Sequence, residues 1–583
     1  MSDAILEAPG RYAGRPAGPD PVESRVSRAG SALEQARRCT RRGTVDAVLA
    51  AHGLPARSDV LPVTPLSFRP CPAPGGAGPE PVMSASSFID TAGLRLEFTR
   101  HGAQALATAR TTLASLPQRP SELVSSSVLN GSEGRPAWHM LSRLGADGID
   151  ASSRAAAAFL HAEHQRMVEW AEALIESSQE PLDIIHLGAG GSETPMLALH
   201  TALSVLQAPR CQVHWVANLD GATLDEALRA SDPRRTWVVI NSKSFRTQEV
   251  MRNADAVVQW LGSHLGAEQA RARLVALTSN ADAAHQRFGL PMSQVFRSLP
   301  EIGGRFSLWS AHGLALLLAF GADTVAELHA GALDMDRHFL DTPLAASAPG
   351  LLAGLSHAYR VRFGLPLLSI GLYGDAFSHM PLYLQQLLME SLGKSTAADG
   401  VQPVAVSGPA VISGVGTPVQ HTYFQLLHQA AVPVFHEIVA VVRPWHARHA
   451  EHLALLSNAL GQADALWNGK DASSWRRELM QQGMAADEAL RAAHHRACPG
   501  GRPSTFIWLQ HLRARELGAL LALYEHRTVV EGWLYGINPF DQWGVELGKT
   551  LAARIEQALL TRDSQGLSAD TAASLDYLRN QLA

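Results

Sequence analysis

Cysteine is scarce in this 583-residue chain, with Cys39, Cys71, Cys211 and Cys498 the whole complement. They stand far apart and form no CxxC pair, which argues against a disulfide framework or a zinc knuckle and fits a reducing compartment. Long apolar runs are also missing. The most apolar stretch, Leu314 to Phe320, is too short to cross a bilayer. The opening Met1-Ser2-Asp3-Ala4-Ile5-Leu6-Glu7 lacks the basic segment and apolar run of a secretory leader. Neither sign of charge dominates: the formal charge is -5 and the pI about 6.6. That leaves no global pull toward nucleic acid or an anionic membrane. A cytoplasmic protein is expected, with neither nucleic acid nor membrane as partner. Lysine is absent from residues 1–85, which are rich in Pro, Gly, Ala and Arg. They read as a low-complexity, flexible tail, with a short helix around Ala32 to His52 as a candidate element.

Apolar residues make up 46% of the chain, ordinary for a globular protein, and the length calls for more than one core. From about residue 180, short apolar runs alternate with helical periodicity. Asp183 to Leu187, Val213 to Ala217, Trp237 to Ile240 and Leu274 to Leu277 are strand candidates. Strands alternating with helices indicate an α/β fold with a parallel sheet covered on both faces. A second α/β region begins near residue 350, with strand candidates at Val404 to Val406 and Val432 to Val434.

Two loops in the first region suit an anion. Gly188-Ala189-Gly190-Gly191-Ser192 follows a strand and precedes a helix, and its glycines let backbone N–H groups turn toward a ligand. Its spacing is neither a dinucleotide fingerprint nor a P-loop, and a plain tight turn would read the same way. Ser242-Lys243-Ser244-Phe245-Arg246-Thr247 also links a strand to a helix, and it gathers hydroxyls and cations. A phosphate dianion needs several directed donors, and parallel sheets bind ligands at this edge.

Other segments offer proton-transfer groups. Gly303-Gly304-Arg305-Phe306-Ser307 precedes an apolar helix, where an Arg can face an anionic centre. Gln386 and Glu390 are four apart and share a helix face. Partial desolvation among Leu387, Leu388 and Met389 would make Glu390 a better base. Gln420-His421 follows Gly416-Thr417-Pro418, and His is the usual acid–base group near neutral pH. A C-terminal helix is expected from Asn538-Pro539, with Trp543, Leu547, Leu551, Ile555 and Leu559 as its apolar stripe and Gln542 and Lys549 two turns apart on another face.

Several of these segments carry a resemblance. Asn130-Gly131-Ser132-Glu133-Gly134-Arg135-Pro136-Ala137-Trp138-His139, the glycine loop ending in Ser192, and Ser242 to Glu249 resemble three motifs of the phosphoglucose isomerase family. So do the Gly-Gly-Arg segment with Arg305, the Gln-Gln-x-x-Met-Glu-Ser-x-Gly-Lys segment with Glu390, and the Gly-Thr-x-x-Gln-His segment with His421. The run Phe540-Asp541-Gln542-Trp543-Gly544-Val545-Glu546-Leu547-Gly548-Lys549 is the most specific match. The resemblance covers about residues 125 to 583.

It implies two sugar-isomerase (SIS) domains, each a mostly parallel sheet flanked by helices. The implied layout is an N-terminal helical segment over 86–145, a first SIS phosphosugar domain over 146–345, and a second over 346–583 that includes the C-terminal helices. It further implies a homodimer with shared active sites, in which His421 serves the neighbouring subunit. The implied reaction is reversible isomerisation of glucose 6-phosphate and fructose 6-phosphate, a step of glycolysis and gluconeogenesis, with no metal and no cofactor. Glu390 would be the base, Arg305 the cation facing the enediolate, and His421 and Lys549 the ring-opening pair. Gly191, Ser192, Ser242, Lys243, Ser244 and Thr247 would hold the phosphate, and Gly304, Gln386 and Gln542 would complete the sugar site, with Glu249 a candidate partner for His421.

The chain departs from the family pattern in places. Arg246 and Ser244 replace Thr, His312 stands where an aliphatic residue is usual, and Ile412-Ser413-Gly414-Val415 and Pro418-Val419 alter the loop before His421. These departures keep two alternatives open: a catalytically weak phosphosugar-binding regulatory protein, and an isomerase of another hexose phosphate.

Overall fold

The computed structural model describes residues 88–582. The tail expected over 1–85 and the helix candidate at Ala32 to His52 lie outside the described residues. The described chain opens with a hairpin, β1 (Phe88–Thr91) and β2 (Leu94–Arg100). This corrects the expectation of a helical segment from residue 86. Leu94, Leu96 and Phe98 are buried and alternate with less buried Arg95, Glu97 and Thr99, the period-two pattern of a strand. Helix Ala103–Ser115 follows the hairpin.

The first sheet has five strands: β3 (Asp183–Gly188), β4 (Gln212–Val216), β5 (Thr236–Asn241), β6 (Leu274–Thr278) and β7 (Val295–Arg297). All pair in parallel in the order β4-β3-β5-β6-β7. β3 and β6 are buried along their whole lengths, which is why they read as continuous apolar runs. The order reverses between β3 and β5: the chain leaves β3 toward β4 and returns on the other side. Gly188 pairs with Asn241 in register, so the loops that follow these strands emerge side by side. An open parallel sheet binds its ligand at such a switch point.

The second sheet has six strands and adds β8 (Leu367–Tyr373), β9 (Ala410–Gly416), β10 (Val434–Val441) and β11 (Ser504–Leu509) to the hairpin, in the order β1-β2-β11-β10-β8-β9. β8 to β11 are parallel, and β2 joins β11 antiparallel. The second sheet therefore draws strands from both ends of the described chain. The strand expected at Val404 to Val406 is a loop between helix Met380–Leu392 and β9, and the one expected at Val432 to Val434 begins only at its last residue.

Two long helices, Leu314–Asp341 and Ala514–Tyr535, pack together in the core. They approach closely enough that a Cβ on Gly331 would lie 1.7 Å from the Arg515 carbonyl oxygen, and one on Gly518 would lie 1.9 Å from that of Leu328. Only glycine fits at this crossing. Leu314 to Phe320 forms a short first arm of the Leu314–Asp341 span, ahead of a kink at Gly321 where φ is +86°, and is wholly buried. Buried ion pairs reinforce the core. Arg143 bridges Asp336 and Glu525, and Arg527 pairs with Glu437 at 2.7 Å and Glu531 at 2.6 Å, while the His526 ring, whose pKa burial lowers, hydrogen-bonds Asp336 at 2.7 Å. Trp309, four residues after Arg305, donates to Glu525 at 2.9 Å. Removing one member would leave a buried charge uncompensated, at a cost of about 3–5 kcal/mol.

The C-terminal helix begins later than expected. Asn538 Oδ1 accepts from the Phe540 N–H at 3.0 Å, which closes a local turn instead of capping a helix. A single 3-10 turn at Trp543–Val545 precedes helix Glu546–Thr561, so Gln542 lies in the loop before the helix that carries Lys549. The expected apolar stripe starts with exposed residues: Trp543 is 59% exposed, Leu547 69% and Leu551 39%.

Candidate active site

The glycine loop after β3 packs directly on the Gly-Gly-Arg segment. A Cβ on Gly191 would lie 2.3 Å from the Gly304 carbonyl carbon and 2.5 Å from the Arg305 nitrogen. Gly190 has φ of +54°, and a Cβ there would meet Gln386 Nε2 at 2.9 Å. Backbone from two loops and a helix side chain thus meet where only glycine leaves room.

A buried polar chain underpins this loop. The Ser192 carbonyl accepts from His186 Nε2 and from Asn241 Nδ2, each at 3.0 Å. Asn241 Oδ1 accepts from His312 Nδ1, and His312 Nε2 accepts from the Ser298 hydroxyl at 3.0 Å. Burial pulls His312 down to about 3, with the Lys243 charge acting the same way. Burial likewise pulls His186 down to about 4, against the hydrogen bond to Ser192. Both rings are neutral scaffolding near pH 7.

The second loop is anchored from its neighbours. The Lys243 carbonyl accepts from the Ser279 N–H at 3.0 Å and from the Thr278 and Ser279 hydroxyls at 2.9 Å each. Phe245 adopts a left-handed φ of +56° with its ring buried edge-on against Phe288. Tertiary burial thus holds a backbone conformation that a non-glycine residue disfavours. Ser242 donates to Thr247 Oγ1 at 3.2 Å, while Ser244 is exposed. Lys243 Nζ donates to the Pro300 carbonyl at 2.8 Å. Burial, helped by the Arg135 charge, brings Lys243 down to about 8.

Arg305 is only 2% exposed, and its guanidinium donates to four fixed acceptors. Nε donates to Ser391 Oγ at 2.6 Å and Nη1 to Gln542 Oε1 at 3.1 Å. Nη2 donates to the carbonyls of Pro539 at 2.5 Å and Asp541 at 3.0 Å. Nη1 also lies 3.8 Å from a Glu390 carboxylate oxygen. Glu390 accepts from Gln386 Nε2 at 3.1 Å, and Gln386 Oε1 accepts from Thr194 Oγ1 at 2.8 Å. Glu390 and Gln386 sit in helix Met380–Leu392, as their spacing indicated. Its carboxylate is partly open, with 23% of the side chain exposed.

The structure brings together Glu390, Arg305, Gln386 and Gln542, with Gly190, Gly191 and Gly304 beside them. It does not bring in Lys549 or His421. Lys549 is exposed and pairs with Glu546 at 3.0 Å on its own helix. His421 faces solvent in the turn Pro418–His421 and makes no hydrogen bond among the described residues. Glu249 makes none with His421. Two polar clusters escaped the reading of the sequence: the His186–Asn241–His312 chain, and a network around Asp541, Lys394, Ser132 and Asn538. Lys394, Ser132 and Asp541 lay within recognisable motifs, and His312 was visible as a departure, but Lys394 and Ser132 meet Asp541 across 147 and 409 residues and His312 meets Asn241 across 71.

Loops that can cradle a phosphate at a parallel-sheet switch point, beside a carboxylate and a buried guanidinium, define a phosphosugar enzyme of the α/β class. The phosphoglucose isomerase family model matches residues 103–575. A glucose-6-phosphate isomerase of Bordetella petrii is 39% identical over 456 residues, covering 78% of this chain and 85% of that protein. One of Cereibacter sphaeroides is 36% identical over 487 residues, covering 80% and 88%. A crystal structure of a glucose-6-phosphate isomerase from Chlamydia trachomatis superposes with a TM-score of 0.73 at 26% identity, covering 85% of this chain and 93% of that one. The chain belongs to the phosphoglucose isomerase family.

Proposed function

We propose that this chain interconverts glucose 6-phosphate and fructose 6-phosphate through ring opening and a cis-enediolate, with Glu390 as the single base. The observation that carries the mechanism is the Glu390–Arg305 pair beside the Gly191 loop. The phosphate is received by the N–H groups and hydroxyls of Gly191, Ser192, Ser242, Ser244 and Thr247, with Lys243 adding positive charge. Gln386 and Gln542 orient the open-chain sugar. Glu390 removes the C2 proton of the aldose and returns it to C1 on the same face, so no second base is required. Arg305 faces the oxygen on which negative charge develops, and its other contacts hold it there before substrate arrives.

Ring opening needs a proton donor at the ring oxygen and an acceptor at the hydroxyl, the roles of His421 and Lys549. Lys549 is two helical turns before Glu556, which accepts from Gln248 Nε2 at 2.9 Å, and Gln248 follows Thr247 of the phosphate loop. The helix therefore runs past that loop, which supports Lys549 reaching the sugar. The solvent-facing His421, which has no side-chain partner among the described residues, supports a homodimer in which it enters the neighbouring subunit's site. The exposed Trp543, Val545 and Leu547 support the same assembly. The scattered cysteines, of which Cys211 and Cys498 are free among the described residues, support action in the cytoplasm.

The test is a coupled assay of purified protein with fructose 6-phosphate, without added metal, and with mannose 6-phosphate as a second substrate. Turnover of the first at rates well above the second is expected. Tight phosphosugar binding without turnover would establish the regulatory alternative instead.

A further inference from the structure

The geometry points to Asp541 as a positioning residue for the isomerisation: through its carboxylate and its own backbone carbonyl it holds Arg305 and the Gln542 loop against Glu390. The inference rests on Arg305 being the cation that faces the enediolate. The direction of the Arg305 guanidinium is set largely by the segment 539–542, because Nη2 donates to the carbonyls of Pro539 and Asp541 and Nη1 to Gln542 Oε1. That segment is irregular, with no helix or strand ladder to hold it. Something else has to fix it.

The Asp541 side chain does so through partners from three parts of the chain. Oδ1 accepts from Lys394 Nζ at 2.8 Å. Oδ2 accepts from Ser132 Oγ at 2.5 Å and from Asn538 Nδ2 at 2.8 Å. The Asp541 carbonyl that receives Arg305 also receives Lys394 Nζ, so a single oxygen is shared by the two cations. Lys394 lies four residues after Glu390, just past the end of the same helix. The Lys394–Asp541 pair therefore ties the end of the base's helix to the loop that aims the guanidinium. The two side chains are only 14% and 11% exposed, so water cannot readily replace either partner. Asn538 Nδ2 extends the tie to Asn130 Oδ1 at 2.9 Å, giving the N-terminal Asn-Gly-Ser motif a mechanical role. None of these groups belongs to the phosphate loops.

Asp541→Asn keeps the shape and removes the charge. It is expected to lower kcat about 10²-fold, the scale of a misplacement near 1 Å, while KM for fructose 6-phosphate stays within about threefold. Lys394→Met should act in the same way, and the double variant should be no slower than the slower single one, because both changes break one unit. Kinetics are read on the folded, gel-filtered fraction. If Asp541→Asn fails to fold, Lys394→Met carries the same test through its kcat-against-KM split. The inference is overturned if the folded variants keep kcat within about twofold of the unsubstituted chain, if KM rises as much as kcat falls, or if the two losses add. Absence of turnover in the unsubstituted chain would sink the isomerase reading itself, and this inference with it.

Discussion

The Glu390 carboxylate and the Arg305 guanidinium face each other at 3.8 Å, and each is held mainly by other groups. That separation exceeds an N–H···O hydrogen bond. The carboxylate is therefore oriented by Gln386 and the guanidinium by Ser391 and backbone carbonyls, so neither is consumed in neutralising the other. On the proposed mechanism, a sugar entering between the two loops and this pair would meet an accepting carboxylate and a preset positive group.

Replacing Glu390 by Gln keeps the size and the Gln386 contact but removes the proton acceptor. Turnover in the coupled assay should fall by about 10²- to 10⁴-fold. Calorimetric binding of fructose 6-phosphate should change little, because the phosphate loops are untouched. Full activity in this variant would assign the base elsewhere.

Arg305→Lys retains a charge but not the planar fork that reaches Ser391, Gln542 and two carbonyls together. We expect kcat to drop about 10²- to 10³-fold. The buried acceptors left without donors should also cost about 1–3 kcal/mol of stability, read by urea unfolding.

Gly191→Ala places a methyl group 2.3 Å from the Gly304 carbonyl carbon, a backbone atom that cannot swing away. The glycine loop and the Arg305 segment would have to part. A large rise in KM for fructose 6-phosphate is expected together with a fall in kcat, since one contact sets both phosphate and guanidinium. A variant with unchanged kinetics would separate this loop from the site.

Acid should weaken the fold through buried histidines. His312 is depressed from its ordinary 6.5 to about 3. Below pH 6.5 the unfolded chain takes up a proton that the native ring refuses, so more protons are bound unfolded and stability falls as pH drops from 6.5 toward 3. The slope is at most about 1.4 kcal/mol per pH unit for one such group. His186, brought down to about 4, acts in the same direction. Melting temperatures measured from pH 7 to 5 should decline, and His312→Gln should flatten the decline. Parallel curves for the two proteins would contradict this.

How much was legible follows from distance along the chain. The glycine loop, the hydroxyl loop and the Gln386–Glu390 face were readable because turn chemistry and helical spacing are local. The hairpin at Phe88–Arg100 alternates visibly, but its place beside β11 depends on residues more than four hundred positions away. Gln542 was expected on the C-terminal helix with Lys549. The side-chain turn at Asn538 delays the helix, and a polar residue directly before a proline reads equally well as a cap.

By itself, the sequence determined the family, the α/β class, and which side chains are available for phosphate binding and proton transfer. Those depend on residue identity and spacing within one element. The tertiary structure alone decided which of them meet. Parallel pairing of β3 with β5 puts the two loops at one edge, and close packing at Gly191 seats the guanidinium next to the base. The Asp541 network, with partners on three separate segments, then holds the loop that aims it. Such contacts arise from packing and from satisfying buried polar groups across the whole fold, and no local pattern encodes them.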